Sequence, residues 1–99
     1  MTIIDMSLNN FELYEGIQLE EIAGRLNMTT PPSDAVNIIG KNASKVISAI
    51  PADQRAEVTL TGPMAVYAYL VVFHQVVHAF KCVYYNDGKN GRVLIAKHG

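Results

Sequence analysis

The chain has 99 residues, of which 49% are hydrophobic and 17% charged, with a formal net charge of −1 and a mean hydropathy of +0.14. That is a one-domain length and too apolar a composition for a disordered tail. One cysteine, Cys82, excludes an internal disulfide framework and a self-contained multi-cysteine zinc site, and it suits a reducing compartment.

Near-neutral charge argues against a duplex-DNA coat, which needs many phosphate contacts. Asp5 interrupts the apolar opening and no basic stretch precedes it, so no signal peptide is expected. A short chain buries a small share of its surface, and a second copy would help its core.

In chain order, residues 2–8 read as a strand and Asn9-Asn10 as a turn. Residues 11–14 fit a second short strand or a loop. Residues 17–26 place Ile17, Ile22, Ala23 and Leu26 on one helical stripe, with Glu20 and Glu21 near its start, and predict a helix. Residues 27–32 connect, because Thr29-Thr30-Pro31-Pro32 cannot continue a helix. Ser33 is a good cap for a helix over 34–50, with Val36, Ile39, Val46, Ile47 and Ile50 apolar. Gly40 and Asn42 weaken its middle, where a break could fall, and Pro51 ends it.

Residues 57–61 alternate as a strand, Gly62-Pro63 punctuates, and proline in a first helical turn is pre-organised for entry. Residues 64–80 predict the most apolar helix. Its uninterrupted apolar run, 64–73, is about half a bilayer span, so no membrane crossing is expected. Residues 81–85 and 92–97 read as strands joined by the turn 86–91. The predicted order is β-α-α-β-α-β-β, a single α/β domain with a C-terminal β-hairpin.

Charge is uneven. Residues 1–58 carry eight acids against four bases, a balance of −4. Residues 59–99 carry Lys81, Lys89, Arg92 and Lys97 against Asp87 alone, a balance of +3. A small basic patch on a neutral protein suits a compact anion, although the same residues would also keep two strands soluble.

Three places could carry chemistry. At the Gly62-Pro63 junction, flanked by Thr59 and Thr61, a helix start offers backbone N–H groups to an anion, though a plain helix entry looks the same. His74 and His78 are four apart and share a helical face with Tyr67. Gln75 follows His74 where metalloproteases have a glutamate, so peptide hydrolysis is not expected. A metal site with Asp87 or His98 and simple local packing both remain open. Asp87 sits among Lys81, Lys89 and Arg92, either as a chemical group or as an ordinary Asn-Asp-Gly turn. Cys82, between Lys81 and Val83, reads as core filler. No Gly-x-Gly-x-x-Gly follows a strand, which argues against a nicotinamide site.

Leu60-Thr61-Gly62-Pro63, the apolar helix with its tyrosines, His78, Val83-Tyr84-Tyr85, Asp87 and a last apolar strand ending in His98 together resemble the small CRISPR-associated ring nucleases. The resemblance covers about the last 40 residues. It implies a small Rossmann-like domain, akin to the CARF-like sensor domains of type III CRISPR defence. It implies a cytoplasmic homodimer, sometimes stacked into tetramers, that binds and cleaves cyclic tetra-adenylate at a subunit interface. Some members use manganese.

Carried onto this chain, His78 and His98 would be the proton-transfer candidates, Asp87 an orienter or metal ligand, and Lys89 electrostatic support. Thr61, Gly62, Pro63, Tyr67, His74 and Arg92 would contact ligand, and Tyr69, Tyr84 and Tyr85 could stack on bases. The family often has Asp-Pro-Arg where this chain has Asp87-Gly88-Lys89, and lysine keeps the charge without the bidentate fork. A non-catalytic sponge for the messenger and a small dimeric interaction module without ligand are the alternatives.

Overall fold

The computed structural model describes residues 2–98. Strand β1 (Thr2–Asp5) is followed by a hairpin, β2 (Leu19–Ile22) and β3 (Arg25–Met28), and by helix α1 (Pro32–Ser48). A short 3-10 turn (Ala52–Gln54) leads to β4 (Glu57–Thr61), helix α2 (Val66–Ala79), β5 (Cys82–Asn86) and β6 (Arg92–Lys97). A mixed four-stranded sheet runs β1-β4-β5-β6: the first three strands are parallel and β6 is antiparallel to β5.

Both crossovers step the same way across the sheet, and right-handed connection puts their helices on one face. Each helix buries one stripe at i, i+4 spacing: Ala35, Ile39, Ala43 and Ile47 on α1, and Ala68, Val72 and Val76 on α2. They meet Ile4, Val58, Leu60 and Val83 from the sheet, with Met6, Leu13, Tyr14 and Phe80 closing the ends of the same core. Full burial of side chains such as Ile39 or Val72 contributes about 1.5–3 kcal/mol each.

The far face of the sheet carries the register row Ile3, Thr59, Tyr84 and Leu94, exposed at its ends and buried at Thr59. On that face the Arg92 guanidinium lies 3.9 Å from the Tyr84 ring centre and 3.4 Å from Glu57.

Three expectations are corrected. Residues 17–26 are not a helix but most of a two-stranded hairpin, registered Leu19 to Met28 and Ile22 to Arg25. Ala23 (φ 53) and Gly24 (φ 78) form a tight two-residue turn in the left-handed region, which suits the twist of a β-ribbon and stops a helix. The observed order is therefore β-β-β-α-β-α-β-β.

Second, α1 starts at Pro32 with Pro31 rather than Ser33 at its cap, and it does not break. Gly40 lets the helices approach, since a methyl there would meet Val71 Cγ2 at 3.3 Å. Asn42 is buried and satisfied, donating to the carbonyls of Leu13 (3.0 Å) and Glu15 (2.8 Å). Third, α2 begins at Val66, so Pro63 lies in a corner ahead of the helix rather than in its first turn.

Candidate functional site

The parallel strands end together at Asp5, Thr61 and Asn86, the edge where open α/β sheets gather ligands. Thr61 Oγ1 donates to the Asn86 carbonyl at 2.9 Å, and the Met6 N–H donates to the Thr61 carbonyl at 2.6 Å. The chain then turns at Gly62, whose φ of 101° favours glycine. A side chain here would also strike Asp5 Oδ1 at 2.7 Å.

The Tyr69 hydroxyl donates to the Gly62 carbonyl and fastens the corner to α2. Burial, with Tyr85 and Asp5 nearby, pushes that phenol up to about 12, so Tyr69 stays a donor across the neutral range.

Beside the corner opens a cleft of about 720 Å³. Ser7, Asn9 and Tyr67 line it from the body, and Arg25 and Asn27 line it from β3. Pro63 to Ala65 form its floor, and α2 rises from there with no side-chain cap and no acid in its first turn. The hairpin overhangs this floor as an arm. Of its eight strand residues only Met28 is not exposed, and there the Tyr67 hydroxyl reaches the thioether sulfur at 3.9 Å.

Asp87 and Lys89 follow β5 at the same edge, on the exposed turn to β6. The Asp87 carboxylate accepts from the N–H groups of Lys89 (2.8 Å) and Asn90 (3.0 Å), and these bonds hold its pKa below the usual carboxylate value. Its Oδ1 is thus committed to the turn, and Oδ2 receives the Asn90 amide at 3.3 Å. Arg92 leaves the turn for the far sheet face, where Glu57 and Tyr84 hold it.

The histidines lie at the other edge. His78 occupies the last turn of α2, and His98 follows β6 and donates its N–H to the Lys81 carbonyl. Both line a cavity of about 410 Å³ with Arg55, Phe80 and Lys81. Arg55 is spent on α1, giving hydrogen bonds to the carbonyls of Ile50 (3.0 Å) and Ile47 (3.1 Å). The His74 and His78 rings meet edge to face at 5.2 Å.

Apart from Arg92, which is held on the far sheet face, the expected ligand-contacting and catalytic residues form two groups. Thr61, Gly62, Pro63 and Tyr67 gather at the strand-end edge with Asp87 and Lys89, while His74, His78 and His98 gather at the opposite edge. The length of β5, about 16 Å at ordinary strand rise, separates them. Among the described residues no three of His, Cys, Asp and Glu stand close enough to hold a metal ion.

The cleft residues Ser7, Asn9, Arg25 and Asn27 were not singled out by sequence reasoning. The local signal was Gly24 alone, which weakens a helix, because Ala23-Gly24 is not one of the pairs that mark a hairpin. Among the described residues, no helix is long and apolar enough to cross a membrane. Comparison with protein families, curated proteins and solved structures finds no match to the chain.

Proposed function

We propose that this chain is a Rossmann-like, cytoplasmic ring nuclease that binds cyclic tetra-adenylate between subunits and opens its ring. The observation that carries the reading is the split just described. The strand-end edge has a cleft lined by polar groups and one cation, without a carboxylate. The opposite edge has two histidines on one cavity. Two ends of one sheet can act on one ligand when different subunits supply them, and a ring of four equal units has the symmetry to be shared.

In the expected chemistry a ribose 2′-hydroxyl attacks the adjacent phosphorus. The O2′–P bond forms and the P–O5′ bond breaks, leaving a 2′,3′-cyclic phosphate and a free 5′-hydroxyl. His78 or His98 takes the 2′-hydroxyl proton, and a proton is delivered to the leaving 5′ oxygen. Lys89 offsets charge on the phosphate, and Asp87 keeps Lys89 in place through their shared turn. In-line positioning supplies the rest.

Incubation with radiolabelled cyclic tetra-adenylate, with and without manganese, tests this. Linear products ending in a cyclic phosphate support it. Intact ligand that comigrates with the protein makes the chain a sponge, and absence of binding removes the nucleotide reading.

A second reading, a dimeric interaction module without ligand, is favoured by an apolar groove of about 480 Å³ between α2 and β6. Val66 (73% exposed), Leu70 (63%) and Ile95 (53%) line it as neighbouring exposed apolar side chains, the kind of patch that marks an interaction surface. This reading seats the second copy on the groove.

A further inference from the structure

Building on the nucleotide-binding reading above, we propose that Arg25 is a phosphate-binding residue, carried by the β2–β3 arm to the cleft beside the Gly62-Pro63 corner. The chain has three arginines. Arg55 closes the end of α1 through the carbonyls of Ile47 and Ile50. Arg92 is held by Glu57 and stacks on Tyr84. Arg25 alone has no hydrogen bond or ion pair from its guanidinium to any described residue.

Among the described residues it is also the only charged side chain lining the cleft. The arm's own acids, Glu20 and Glu21, belong to β2 and do not line it. A guanidinium presents a planar fork of donors that matches two phosphate oxygens. Ser7, Asn9 and Asn27 on the same walls add neutral groups for the remaining polar atoms of a nucleotide.

The arm's construction fits a part completed by its ligand. Its two legs are closed at the base by the Thr29 N–H on the Gln18 carbonyl (2.9 Å) and the Gln18 N–H on Thr30 Oγ1 (2.8 Å), and Met28 meets the Tyr67 hydroxyl on the body at 3.9 Å. Beyond that base, a two-stranded ribbon with seven of its eight strand residues exposed has little of its own to stabilise it. A phosphate bridging Arg25 to the corner would fix arm and body together.

The test follows backbone amide shifts by NMR in wild type, Arg25→Gln and Arg25→Lys. Each is titrated separately with cyclic tetra-adenylate and with inorganic pyrophosphate. The expected result is that both probes shift residues 24–27 and 64–67 in wild type. Arg25→Gln then weakens both by about tenfold, Arg25→Lys recovers part of the loss, and the salt dependence of binding falls by about one counterion.

Cyclic tetra-adenylate binding that leaves the arm amides unmoved and Arg25→Gln unaffected would overturn the role of Arg25 and leave the nucleotide reading standing. Arg25-dependent pyrophosphate binding without cyclic tetra-adenylate binding would uphold the phosphate site and sink the nucleotide reading. Silence with both probes overturns both. Matching melting temperatures of the three proteins verify folding.

Discussion

His78 and Asp87 stand at opposite ends of β5: His78 lies in the last turn of α2, just before the strand begins, and Asp87 follows its final residue. If both act on one scissile phosphate, they come from different copies of the chain. His78→Ala and Asp87→Ala proteins, each inactive alone, should then regain cleavage when mixed and refolded together. Random pairing makes half of the dimers mixed, each with one intact site, so the expected rate is about a quarter of wild type. A mixture no more active than its components would assign the two residues to a site within one chain, or to none.

Leu70→Glu should abolish self-association. The side chain is 63% exposed on the α2–β6 groove, so a carboxylate costs the monomer little but would be stranded in an apolar interface. Sedimentation velocity should show a monomer with unchanged secondary structure. A dimer that persists at the wild-type affinity would place the contact elsewhere.

Asn42→Ala should lower unfolding free energy by about 1–3 kcal/mol, because it removes two hydrogen bonds and leaves the Leu13 and Glu15 carbonyls without this donor. Urea denaturation measures the loss. Asn42→Leu should be no better, since the partner carbonyls remain.

The turn between β5 and β6 should loosen in acid. The Asp87 carboxyl pKa is held below its ordinary value by the N–H groups of Lys89 and Asn90. Its contribution is therefore fully present above about pH 4, the unfolded value, and is lost as pH falls through the lower folded value. The Lys89 and Asn90 amide resonances should move together in that window, and Asp87→Asn should flatten the change.

The second half of the fold was the more legible. Strands β4 and β6 fall on the predicted residues, because Glu57 to Thr61 alternate and a Gly-bearing turn precedes Arg92. Helix α1 came within two residues at each end, since prolines bracket it.

The first half failed where two periods overlap. Ile17, Ile22, Ala23 and Leu26 fit a helical stripe, yet the same residues flank a turn that folds Leu19 back on Met28. Local spacing could not decide between these, and the left-handed pair Ala23-Gly24 did. That misreading also hid Arg25, which a helix would have sent elsewhere. At Gly40 and Asn42 helix propensity pointed to a break, but contacts with Val71 and with the carbonyls of Leu13 and Glu15 lie far away in sequence.

Position 62 is shut twice over. Its backbone dihedral disfavours every L side chain, and a carboxylate oxygen already occupies the space a methyl group would need. Gly24, Gly88 and Gly91 share the first restriction but have nothing within 4 Å. Random drift can thus try asparagine or aspartate at those three and keep the fold, whereas a lineage that loses the glycine at 62 must rebuild the end of its first strand as well.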